Sequence, residues 1–179
     1  MEEGIFWRLV EDCRNEAGAD TERVAQLIMR RLRTLGADEI VEFEQLWFRA
    51  QDELFCWSVR DAAVLLLGPF DDDAFLAVQD WIVSHGRAVM RRVKEDPDSI
   101  VELAADRHNA HIDWFCGLPV EAHIAVTGRP PAMDGPSGSD SPAGIPADLS
   151  DESEMRQRFP RIMAYLDGNS RTGRPRTSN

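Results

Sequence analysis

"GPFDDDAFLAVQDWIV", residues 68–83, decides how this chain is read. Three consecutive aspartates follow a Gly-Pro breaker. After them Ala74, Phe75, Val78, Trp81 and Ile82 recur at the 3.6-residue period of a helix. Asp71 is placed to cap that helix by accepting a backbone N–H. Asp72 and Asp73 then fall in its first turn, where carboxylates favour the dipole. A calcium loop of the EF-hand kind needs glycine at its sixth position and glutamate at its twelfth, and no such register exists here. The stretch reads as a helix start, and it calls for no metal and no other cofactor.

The same period extends outward in both directions. Upstream, Ser58 is expected to cap "VRDAAVLLL", which is apolar nearly all round and reads as the central buried helix. Before it come three amphipathic helices. The first carries Ile5, Phe6, Leu9, Val10 and Cys13, and Gly18 breaks it. Asp20 caps the second, which carries Val24, Leu27, Ile28 and Leu32. The third begins near Asp38 with Ile40, Phe43, Trp47 and Leu54. Downstream, Gly86 ends the helix that Asp71 opens, and Pro97 stops the next. Asp98 is expected to cap "SIVELAAD", and "VEAHIAV" ends at Thr127-Gly128. No alternating run of strand length stands out, so the expected fold is all-α, a compact multi-helix domain.

The chain divides by composition. Residues 1–128 form the helical domain. Residues 129–149 are rich in Gly, Pro, Ser and Asp and read as a flexible linker. Residues 150–167 are a C-terminal helical segment, split at Pro160, whose Met155, Phe159, Ile162, Met163 and Leu166 make an apolar face expected to dock on the domain. Residues 168–179 have no apolar anchor and read as a disordered tail.

Charge narrows the partners. Acidic residues number 32 against 20 basic, a net charge of −12. That balance argues against nucleic acid and against anionic membrane surfaces, whose phosphates it repels. Three widely spaced cysteines without a CxxC pair give neither a disulfide framework nor a zinc signature, so free thiols in a reducing cytoplasm are expected. The N-terminus lacks the apolar core of a signal peptide, and no stretch is long and apolar enough to span a bilayer. Lys94 is the sole lysine among many arginines and alanines, which suggests a GC-rich bacterial genome of the actinobacterial kind.

Five segments together carry a resemblance: "FWRLVEDCR" (6–14), "FCWSVRDAAVLLLGPFDDDAF" (55–75), "WIVSHGR" (81–87), "DPDSI" (96–100) and "RFPRI" (158–162). In order and spacing they resemble the uncharacterised bacterial family catalogued as domain of unknown function 4240. The resemblance covers roughly residues 5–128 and, more weakly, 150–166. It implies a mainly helical domain and brings no reaction, substrate or cofactor. The chain departs from the family pattern at Ser58, Gly68-Pro69, Ala74 and Gln79.

Two constellations carry chemistry. Trp57, Asp72, Asp73, Trp81, His85 and Arg87 form the candidate binding set. Trp81 and His85 are four apart on one helix face, with Asp73 two turns earlier than Trp81. A carboxylate beside an imidazole and a guanidinium suits a polar small molecule or acid–base work. The simpler reading makes Trp81 core, His85 a partner of the helix C-terminus and Arg87 a solvated cation. In the second set, His108 and His111 are three apart, with Asp113, Cys116 and His123 nearby. It is neither HExxH nor a paired-cysteine motif, so a metal site is not expected there. No GxSxG, Walker loop or GxGxxG occurs.

The expected function is therefore a cytoplasmic helical module that binds a protein or peptide without catalysis, as a monomer or homodimer. The alternative is an enzyme or accessory enzyme acting on a polar small molecule through Asp72, Asp73, His85 and Arg87.

Overall fold

The computed structural model describes residues 1–132 and 141–172. Among them the fold is all-α. Helix α1 spans Glu3–Ala17, α2 Thr21–Leu32, α3 Ala37–Leu54, α4 Trp57–Leu67, α5 Asp72–Ser84 and α6 Arg87–Glu95. A 3-10 segment follows at Pro97–Asn109, then α7 at Leu118–Thr127, α8 at Glu152–Arg158 and α9 at Pro160–Thr172.

Local chemistry sets these boundaries. The Asp71 carboxylate accepts from the Ala74 N–H at 2.9 Å and caps α5, with Asp72 and Asp73 in the first turn as expected. Asp20 caps α2 in the same way through the Arg23 N–H at 2.9 Å. Pro160 opens α9, because a residue without an N–H is tolerated in a helix's first turn.

Two expected caps fall elsewhere. Ser58 lies inside α4, whose N-cap is Cys56, and the Ser58 hydroxyl meets the Cys56 thiol at 3.4 Å. Asp98 caps a different helix from the one expected. The segment it begins is a 3-10 helix, and its own carboxylate, 4% exposed, turns away to the start of α9. There it accepts from the Arg161 N–H at 2.7 Å and the Ile162 N–H at 2.9 Å. A long-range partner thus satisfies donors that a helix's first turn always leaves open.

The central helix is α5, not α4. Nine of its thirteen residues are buried, and it touches α1, α2, α3 and α6. The leucine-rich α4 leaves Val64, Leu65 and Leu67 half-exposed. Around α5 the core is aromatic. Phe6 meets Phe43 at 5.0 Å, and Trp47 stacks on Phe115 at 5.4 Å between ring centres.

The C-terminal segment packs against the same body. Phe159, Ile162 and Met163 are buried, Met155 and Leu166 are half-buried, and α9 lies against the 3-10 segment and α4. The stretch read as a linker is pinned at two points in its described part. Ala143 exchanges backbone hydrogen bonds with Phe55 and Trp57, at 3.0 and 2.9 Å. The Ala147 N–H donates to Asp61 at 2.6 Å. Helix α9 continues past the expected tail boundary to Thr172. The remainder of the linker and tail readings, at 133–140 and 173–179, lies outside the described residues.

Asp98→Ala leaves two N–H groups at the start of α9 without their acceptor, and a loss of roughly 1–3 kcal/mol is expected. Asp71→Ala removes one exposed cap, for roughly 0.5–2 kcal/mol. Urea unfolding of both variants should place Asp98→Ala as the more destabilised. The reverse order would show that the α9 junction contributes little.

Candidate functional site

Helix α5 is buried along most of its length yet carries polar side chains, so neighbouring elements must satisfy them. At its C-terminal end they do. Asp106, from the 3-10 segment, accepts from the Trp81 indole N–H at 2.8 Å and the Thr21 hydroxyl at 2.7 Å through Oδ2. Asn109 donates to Oδ1 at 2.6 Å, and His85 Nε2 stands 3.4 Å from Oδ2. Burial pushes the Asp106 carboxyl up. The bonds from His85, Trp81, Asn109 and Thr21 together outweigh it and hold the group well below the usual carboxylate range. Arg14 closes the network through Ser84 Oγ at 2.7 Å and Thr21 at 3.2 Å. Burial lowers the His85 pKa, the hydrogen bond to Asp106 opposes this, and the Arg14 charge lowers it further. The cluster joins α1, α2, α5 and the 3-10 segment, and the Trp81, Thr21, Asn109 and Arg14 donors hold them together.

The middle of α5 is different. Asp80 is 6% exposed, and its Oδ1 accepts from the Trp47 indole N–H and from Gln51 Nε2 at 2.7 Å. Oδ2 accepts no hydrogen bond among the described residues, and Asp80 forms part of the wall of a cavity of about 610 Å³. That volume suits a small ligand. Burial pushes the Asp80 carboxyl up to about 7; the Trp47 bond opposes this, and the Asp113 charge adds to it.

Three elements build the cavity. From α3, Glu44, Trp47, Phe48 and Gln51 line it, a stripe spaced i, i+3, i+4, i+7. From α5 come Asp73, Leu76, Ala77 and Asp80, at the same kind of spacing. The segment between the 3-10 helix and α7 supplies His111, Asp113, Phe115 and Cys116. The two helices run antiparallel, because Phe55 meets Phe75 at 6.1 Å while Gln51 meets Asp80. Glu44 and Asp73 therefore lie on opposite sides of Asp80 along the cavity. Among the described residues four carboxylates face the space, and no Lys or Arg lines it. Burial also pushes Glu44 up, with the charge of His123 opposing.

The candidate residues from the sequence scatter. Asp73 is in the cavity wall. Its neighbour Asp72 is 94% exposed at the side chain and pairs with Arg60 at 2.9 Å, and the same Arg60 lies over the Trp57 ring at 5.3 Å. Trp81 and His85 belong to the Asp106 network. Arg87 reaches Glu3 at 2.7 Å. His85, the C-cap of α5, is twelve positions after Asp73, about 18 Å along the axis, so Asp72, Asp73, His85 and Arg87 do not share one site. His111 and Cys116 line the cavity, His108 contacts Asn109, and His123 meets the Arg129 carbonyl at 2.9 Å. Among the described residues no group of three metal-ligating side chains converges.

Asp80, Glu44 and Asp113 were missed as cavity residues. One signal was present: an aspartate seven residues after Asp73, inside the apolar run "AVQDWIV", shares its helix face.

The family model described as "Protein of unknown function (DUF4240)" matches residues 1–118, and the chain belongs to that family. The matched span contains all four carboxylates of the cavity. No curated protein and no solved structure matches the chain. The departures from the family outline have structural places. Ala74 lines the cavity, and Gln79 donates to the Gln51 carbonyl at 3.0 Å.

The raised Asp80 pKa fixes a sign. Between about pH 4 and 7 the folded protein keeps a proton that the unfolded chain has released, so this group's contribution falls as pH rises through that window. Asp80→Asn removes the dependence. Urea unfolding of both proteins across that range should show the native protein losing ground to the variant, with the difference levelling above about pH 7. Parallel curves would mean that Asp80 titrates as an ordinary carboxyl.

Proposed function

For this member of the DUF4240 family, we propose a binding function whose ligand is a small organic cation held in the cavity between α3 and α5. The observation that carries the reading is a space walled by Trp47, Phe48 and Phe115, faced by Glu44, Asp73, Asp80 and Asp113, and without a lining Lys or Arg among the described residues. The charge of Asp113 acts on Asp80 as a repulsion across this space. A cation relieves that repulsion and gains aromatic contact, since the negative face of an indole or phenyl ring attracts positive charge. The volume favours a small molecule over the protein or peptide partner expected from the sequence. The enzyme reading through Asp72, Asp73, His85 and Arg87 loses support, because those groups lie apart.

The setting is consistent with a cytoplasmic bacterial protein. In a reducing compartment Cys13, Cys56 and Cys116 would stay free thiols, as they are here. Among the described residues no helix is long and apolar enough to cross a membrane.

The test sets opposite charges on one chain length. Thermal melts with n-heptylamine and with sodium heptanoate, at equal ionic strength, should show stabilisation by the amine only. Asp80→Asn should weaken the amine effect by about tenfold in apparent affinity, the scale of losing one charge-assisted contact. Equal shifts from both compounds, or none from either, would contradict a cation site.

A further inference from the structure

The cavity's acids are ordered, and the order specifies more than a positive charge. Asp73 and Asp80 are seven residues apart on α5, so they share a face and stand about 10 Å apart along the axis. Between them that face carries Leu76 and Ala77, which expose apolar surface to the cavity. Trp47 and Phe48 supply apolar wall from α3. The sequence of surfaces along the helix is therefore acid, apolar, acid.

We propose that the ligand is a linear alkyl diammonium, with one ammonium group beside Asp80 Oδ2 and the other beside Asp73. This rests on the cation reading and names its chemical class. Asp80 makes the inner contact. It is 6% exposed, its Oδ1 is held by Trp47 and Gln51, and Oδ2 accepts no hydrogen bond among the described residues. Asp80 lines the cavity with this second oxygen uncommitted, and an ammonium group there brings both donors and charge. Asp73 makes the outer contact from the first turn of α5, where it is exposed and its partner α5 residue Asp72 is already engaged with Arg60. The methylene chain lies along Leu76 and Ala77, as lysine stems lie along apolar surface while their charged heads stay paired. An extended chain advances about 1.2 Å per bond, so about seven methylenes bridge two ammonium groups about 10 Å apart. Linear polyamines have this chemistry.

Charged groups face Asp80 from each wall: Glu44 from α3, Asp73 from its own helix, and Asp113, with His111 and Cys116, from the connecting segment. Asp113 also raises the Cys116 thiol, after burial. The excess of carboxylates accommodates a second positive charge without a compensating anion.

Calorimetric titration of the full chain with diamines from 1,3-diaminopropane to 1,10-diaminodecane, with n-heptylamine as the single-charge control, tests the class. At about pH 8, above the Asp80 midpoint, affinity should peak near 1,7-diaminoheptane and exceed n-heptylamine by about three- to tenfold. Asp73→Asn should abolish that advantage, so that within the variant the best diamine binds no more tightly than n-heptylamine. A flat chain-length series, or an advantage that survives Asp73→Asn, overturns the diammonium proposal while monoamine binding still upholds the cation site. Loss of the advantage on Glu44→Gln instead overturns the placement of the second ammonium. If neither amine binds, both the cation site and the diammonium class fall.

Discussion

A helix buried on nearly every side must have its polar groups answered by its neighbours, and in this fold that helix is α5. Its Gln79, Asp80, Trp81 and Ser84 all lie inside the protein. Each long-range bond that satisfies one of them fixes another element. Gln79 and Asp80 position α3 through Gln51 and Trp47. Trp81 positions the 3-10 segment through Asp106, and Ser84 positions α1 through Arg14. Apolar burial supplies the bulk of the driving force, but it is non-directional. The buried polar bonds set the register in which these helices meet.

Two carboxyls illustrate opposite solutions of the same problem. Asp106 receives donors from α2, α5 and its own segment, so its charge is kept despite burial. Asp80 receives two donors on one oxygen, faces Asp113 and, among the described residues, has no cation beside it, so burial prevails and its proton is held to about pH 7. The first arrangement is complete and structural. The second is open toward a cavity, which is why the functional reading rests there.

Much of this architecture was legible in the sequence because local rules governed it. Asp71 and Asp20 cap as their positions demand, and Pro160 divides α8 from α9. What was not legible came from partners distant in sequence. Asp98 caps a helix more than sixty residues away. Helix α4 looked central because it is apolar nearly all round, whereas α5 showed an apolar stripe whose polar companions Gln79, Asp80 and Ser84 are themselves buried. Periodicity cannot tell a solvated polar residue from a buried, hydrogen-bonded one. The site followed the same pattern. Asp73 was recognised for its place in the aspartate run, but Asp80 needed Trp47 and Gln51 from α3, and Asp113 needed the segment before α7.

The central claim is that α5 holds one carboxyl in a demand for positive charge that the protein itself leaves unmet. The carboxyl carbon of Asp80, followed by NMR across a pH titration, reports this directly. The account predicts a midpoint near pH 7 for Asp80 in the free protein, and a midpoint driven well down when 1,7-diaminoheptane is present. An Asp80 that titrates in the ordinary carboxylate range, unmoved by the amine, would contradict it.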